Sequence, residues 1–332
     1  MFDFEVFKEV VAEQIKEHLP EEYANASVEL NQVEKVNENL DSIIIRQSEG
    51  QGIAPSVYLN PFYEEYKNGK PLEEVIQKIA ETHLTSMKKA PTEFDHDFRD
   101  MEGHVFLDLV NTEQNREMLE NCPHKEFNDL SVIFRYLVNQ DEKGIYSCRV
   151  SNRMMEMSGA TPEQLFQWAS KNTEEFFPSS VITMTDLLRE AFAKDGVPPR
   201  EIDMLLSDVE PDKMMWVITN ETRINGAAAM LYDKNLQKVA QKLQSDLYIM
   251  PSSRHEVIAV SVKMGEPDEL ARMVSEINMS QVDLKDRLSN NVYHYDKDLR
   301  QVTLATDVPD KRLDGMLAEA PLVYENEDKT RR

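Results

Sequence analysis

The sequence predicts an α+β fold with mainly antiparallel sheets, built from hairpin-plus-helix units in two domains or subdomains. Short apolar runs recur in pairs around polar turns, which is the pattern of β-hairpins. Single amphipathic helices follow several of these pairs, an order that favours antiparallel sheets with helices packed on them. The 332 residues suffice for about two domains.

Residues 4–19 read as a helix, with Phe4, Phe7, Val11, Ile15 and Leu19 at helical spacing and Pro20 as its stop. Strand-like runs follow at 27–36 and 42–47, then a turn at Gly50-Gln51-Gly52 and a third strand at 56–59. Asn60-Pro61 opens a short helix, with Asn60 as its cap, and Pro71 sits well at the first position of the next one. There Leu72, Val75, Ile76, Ile79, Ala80, His83, Leu84 and Met87 make one apolar stripe. Phe94, Phe98 and Met101 suggest a further helix, ahead of a strand at 105–110 and a helical stretch at 114–119. The break around Cys122-Pro123-His124 sets the expected boundary: an N-terminal domain over 1–125 and a C-terminal one over 126–308.

In the second half, 130–138 and 144–150 form a hairpin, and Thr161-Pro162-Glu163-Gln164 is a capping box opening a helix. A second hairpin is expected from 214–219 and 227–232, with Asp233 capping the helix after it. Strands at 247–250 and 257–262, a helix from Pro267 and a hairpin at 292–295 and 301–304 complete the order. The segment 194–212, rich in proline and acids, reads as an ordered excursion or a mobile insertion, and 309–332 as a polar, disordered tail.

Composition excludes several functions. Lys and Arg number 37 against 61 Asp and Glu, a net charge of −24. Such a surface repels phosphate backbones and anionic lipid, so neither nucleic acid nor membrane is an expected partner. The acidic N-terminus does not resemble a signal peptide, and no apolar run is long enough to span a bilayer, so a cytoplasmic location is expected. Cys122 and Cys148 lack the close Cys/His neighbours of a zinc site and read as free thiols. No P-loop, dinucleotide fingerprint or G-x-S-x-G elbow is present, so no cofactor is expected.

Three segments remain as candidates. The acidic stretch Asp95, His96, Asp97, Asp100, Glu102 and His104 has spacing that could stack ligands on a helix. Phe94, Phe98 and Met101 would then define the buried face, leaving His96 and Asp100 on a solvated one, so no metal is expected. The aromatic stretch with Tyr58, Asn60, Tyr63 and Tyr66 offers a candidate binding surface; the plainer reading buries the rings and leaves the hydroxyls wet. The densest polar cluster between apolar strands is Ser252, Ser253, Arg254, His255 and Glu256. It invites a triad reading, yet along a strand Ser253 and His255 would sit roughly 7 Å apart, with Glu256 pointing away. A turn fixed by serine hydroxyls is the plainer alternative.

Several stretches together resemble a bacterial family of unknown function: 57–69 around Asn60-Pro61-Phe62-Tyr63, Trp216-Val217-Ile218-Thr219-Asn220, 226–232, 247–258 and Val292-Tyr293-His294-Tyr295-Asp296. The resemblance spans most of the chain. It implies an origin common in anaerobic gut bacteria, often beside mobile elements, and carries no activity, cofactor or catalytic residue. Two functions stay open: a non-catalytic acidic binding or regulatory protein that meets a basic protein partner, and a hydrolase-like enzyme with its site near His255 and Glu256 or in the segment 95–104.

Overall fold

The computed structural model describes residues 1–48, 54–89, 98–141, 144–206, 213–308 and 313–314. The chain is α+β, with three antiparallel sheets. It forms two compact units, 1–98 and 99–332. The division falls well before the expected 125/126, because the strand at 105–111 pairs with residues 130–136. A cut at 125 would break that ladder. The Gly50-Gln51-Gly52 turn and residues 94–97 of the expected helix lie outside the described residues. From Phe98 to His104 the chain runs in turns, not helix.

In the first unit, α1 (Phe4–Gln14) is capped by Asp3, whose carboxylate accepts from the Val6 N–H at 2.9 Å. The strands β1 (Ser27–Glu34), β2 (Asn39–Arg46) and β3 (Ser56–Tyr58) form an antiparallel sheet in sequence order. Helices α2 (Asn60–Lys67) and α3 (Leu72–Lys89) follow. Phe7, Val11 and Ile15 of the N-terminal turns, Ile43, Ile45 and Val57 of the sheet, and Val75, Ile76, Ile79 and Ala80 of α3 make the core. The α3 stripe is thus where its spacing puts it.

His83 lies in that stripe and is fully buried. Neither ring nitrogen has a hydrogen-bond partner among the described residues, and the ring meets Tyr23 edge-on at 5.5 Å. Burial pushes its pKa below the ordinary histidine value. The folded state therefore resists protonation while the unfolded chain accepts it below about pH 6.5. Stability is full above that pH and falls as the pH drops, by up to about 1.4 kcal/mol per pH unit. Hydrogen exchange of the α3 amides at pH 7.5 and 5.5 reads this. Once the intrinsic exchange rates are divided out, His83→Leu should show a higher opening free energy than wild type at pH 5.5 and lose most of the difference in it between the two pH values. An unchanged difference in the variant would assign the pH response to other groups.

The second unit holds two sheets. In the first, β6 (Leu130–Asp141) pairs along one edge with β4 (Val105–Asn111). On its other edge it pairs with β5 (His124–Phe127) and then β7 (Gly144–Arg149). The short helix α4 (Arg116–Glu120) links β4 to β5, and α5 (Asn152–Ser158) follows β7. Next, α6 (Pro162–Phe176) carries the expected capping box at Thr161 and Gln164. It is bolted to β4 through Thr173, whose hydroxyl accepts from the Leu107 N–H at 2.8 Å.

The strand β8 (Ser179–Thr183) then leads to α7 (Met184–Lys194) and α8 (Pro199–Leu205), so described residues of the expected insertion form a short helix. After β9 (Trp216–Asn220) the expected partner strand at 227–232 is instead a 3-10 helix, Gly226–Leu231. Glycine and three alanines carry no β-branch and pack closely there, while β9 pairs with β8 and with the strand after Glu256. Helix α9 (Asp233–Leu243), strands β10 (Leu247–Met250) and β11 (Val257–Ser261), helix α10 (Pro267–Gln281) and the hairpin of β12 (Tyr293–Asp296) and β13 (Gln301–Leu304) finish the unit. The second sheet runs β13-β12-β10-β11-β9-β8, with every pair antiparallel.

Asp233 opens α9 but does not cap it: its carboxylate accepts from Tyr295 at 2.6 Å and from Arg300. The expected tail is corrected at its two described residues. Leu313 is buried; its N–H donates to Gln114 at 3.1 Å, and its carbonyl accepts from Arg287 at 2.6 Å.

Candidate functional site

The segment 251–256 joins β10 to β11, and its backbone is held from two sides. Arg254 N–H donates to the Asp286 carbonyl, while the carbonyls of Pro251 and Ser252 accept from Ser289 and Leu288. From the other side Ala227 N–H donates to the Arg254 carbonyl at 3.0 Å, and the Thr219 hydroxyl to the His255 carbonyl at 2.7 Å. Ser253 Oγ accepts from the His255 backbone N–H at 3.0 Å, closing the serine turn that the spacing suggested.

The side chains diverge. His255 Nδ1 accepts from the Asn225 N–H at 3.2 Å, which fixes the proton on Nε2, and Nε2 faces Asp286 Oδ1 at 3.3 Å. Both nitrogens are therefore engaged, and neither serine hydroxyl bonds the ring. A base that activates serine must hold that hydroxyl within about 3 Å. Glu256 is half-buried, and burial pushes its carboxyl above the usual range, with His255 and Arg223 pulling it back.

Arg254 turns inward, nine-tenths buried. Its guanidinium bonds Asp108 Oδ2 of β4 at 2.5 Å, and its Nε has no partner among the described residues. Asp108 is 1% exposed, and Arg135 of β6 stands 3.8 Å from the same oxygen. Sequence reading flagged Arg254 and missed both partners. The signal was present: a single carboxylate inside the apolar run Val105–Asn111 requires a buried cation. Likewise Asp129, in the turn before β6, receives hydrogen bonds from Ser289 at 2.6 Å, Asn291 at 3.0 Å and Tyr293. Burial beside that carboxylate holds the Tyr293 phenol far above its ordinary range.

The aromatic candidates separate in the same way. Asn60 does not cap α2; its side-chain oxygen accepts from the Asp41 N–H at 2.9 Å. Tyr63 and Tyr66 pack against the core of the first unit, and their hydroxyls bind Phe2, Tyr63 donating to its carbonyl and Tyr66 accepting from its N–H. Both hydroxyls thereby fasten the first residues of the chain. Tyr58 lies under Lys35, 5.1 Å from the ring centroid. In the acidic stretch Asp95, His96 and Asp97 fall outside the described residues. His104 stacks on Tyr136 at 4.9 Å, with Asp100 3.9 Å from its Nδ1. Among the described residues no group of three or more His, Cys, Asp or Glu is placed to hold a metal ion. Cys122 and Cys148 form no disulfide.

These contacts define an antiparallel α+β protein whose most polar strand junction is a hydrogen-bonded framework, with its one histidine committed at both nitrogens. The chain belongs to DUF5688, a family of unknown function, whose model matches residues 4–297 and so takes in every element from α1 to β12. No curated protein and no solved structure matches it. Among the described residues, no helix is long and apolar enough to cross a membrane.

Proposed function

We propose that the chain is a non-catalytic binding or regulatory protein of the cytoplasm that works by contact with a basic protein partner. One observation carries the reading: the His255 imidazole is held by the Asn225 N–H on one side and Asp286 on the other. A histidine so held orients a loop; it has no free nitrogen to take a proton from a nucleophile. The charge of −24 supports a basic partner, since opposite charge steers association. An origin beside mobile elements would fit an accessory role of this kind.

Affinity capture from native lysate, followed by mass spectrometry, tests it. The expected result is a basic protein retained in stoichiometric amount, equally by wild type and by His255→Gln, and weakened at least about tenfold by a rise from low to high salt. Hydrolysis of a model ester that His255→Gln abolishes, at unchanged melting temperature, would overturn the reading in favour of a hydrolase.

A further inference from the structure

The second unit contains a cavity of about 120 Å³ between β4, β6 and β7 on one side and β8, β9 and the 220–226 loop on the other. Phe106, Phe177, Ile224 and Ala228 give it apolar walls, while Arg135 and Asn220 are polar. The chain carries 61 acids, yet none of the described residues lining this space is Asp or Glu.

Arg135 is the cation of the wall. Its Nε and one terminal nitrogen are fixed on Ser147 Oγ at 3.0 and 2.9 Å, which sets the plane of the guanidinium. Its other terminal nitrogen lies 3.8 Å from Asp108, beyond hydrogen-bond distance. That carboxylate is already held by Arg254 at 2.5 Å. One carboxylate thus serves two guanidiniums, and the wall keeps an excess of positive charge with N–H donors to spare. Glu174, which reaches the rim through Ser179, is neutralised by Lys234.

We propose that this cavity binds a small organic monocarboxylate, its carboxylate on Arg135 and its apolar body between Phe106, Phe177 and Ile224. The cavity is smaller than the roughly 150 Å³ that holds benzene, so the body inside it is a short alkyl chain or part of one ring. With no lining acid to receive an ammonium group, an amino acid is a poor fit. A phosphate dianion would bury a second charge against a single guanidinium. This proposal does not depend on the protein contact proposed above.

The test is calorimetric titration of the full chain with sodium butyrate and sodium benzoate, beside butyramide and benzamide. An acid should bind at least about tenfold more tightly than its amide, because only the acid makes charge-assisted hydrogen bonds. Arg135→Gln should weaken the acid by about ten- to a hundredfold. Ile224 lines the cavity and is 48% exposed as a residue, so Ile224→Asp can place a like charge there without opening the core. This variant should keep the wild-type melting temperature and bind the acid about tenfold more weakly. It keeps the proposal testable if Arg135→Gln does not fold. Equal binding of acid and amide, no heat from either acid up to about 10 mM, or wild-type affinity in Ile224→Asp would each overturn it.

Discussion

Asp108→Ala is expected to destabilise the second unit by about 3–5 kcal/mol, the cost of leaving a buried ion pair half-broken. Asp108 is 1% exposed, and Oδ1 accepts from the Leu109 N–H at 2.9 Å while Oδ2 holds Arg254. Removing the carboxylate strands the Arg254 guanidinium, whose side chain is 10% exposed, beside Arg135 with no other carboxylate paired to either among the described residues. The chain's two tryptophans, Trp168 and Trp216, both lie in this unit, so urea unfolding followed by tryptophan fluorescence reports on it alone. The double variant Asp108→Leu with Arg254→Met should recover much of the loss, since it removes the buried stranded guanidinium and leaves only the partly exposed Arg135 without its carboxylate. A single-variant cost under about 1 kcal/mol would show that the pair is effectively solvated.

The same pair shows what the sequence could and could not reveal. Periodicity located α3, α6, α10 and most strands, because one-sided burial leaves its own spacing in the chain. It failed at 227–232, where a Gly-Ala-Ala-Ala run is apolar without preferring a strand, and close packing chose a 3-10 turn. It failed at Asn60 and Asp233, each expected to cap a helix but bonded to a distant strand instead of the local backbone. The site candidates follow that rule. The Ser253 turn was legible because its bond spans two residues. Asp108 and Arg254 are 146 positions apart, and Asp129 and Tyr293 are 164 apart. Local pattern flags an unpaired buried charge but cannot name its counterpart. The domain boundary was lost for the same reason, since pairing of β4 with β6 is invisible in composition.

Gly226→Ala should cost about 3 kcal/mol, near the upper end of overpacking effects. A Cβ at this position would lie 2.2 Å from Thr219 Oγ1, 2.6 Å from the His255 carbonyl oxygen and 2.7 Å from the Asn220 nitrogen. Two of those atoms are backbone, so no rotamer change clears them. The Thr219 hydroxyl can move only by giving up its 2.7 Å bond to His255. The added methyl therefore pushes the 220–226 loop off the strand junction, and the Asn225 N–H loses its hold on His255 Nδ1. Imidazole 15N signals read that step directly: one fixed tautomer in wild type, an exchanging pair in the variant. Adding Thr219→Ala to Gly226→Ala removes the shortest contact but not the two backbone ones, so stability should return only in part. Complete recovery would place the whole clash on the threonine side chain. A cost below about 1 kcal/mol with a single-tautomer His255 would mean that the loop has room to shift and does not clamp the junction.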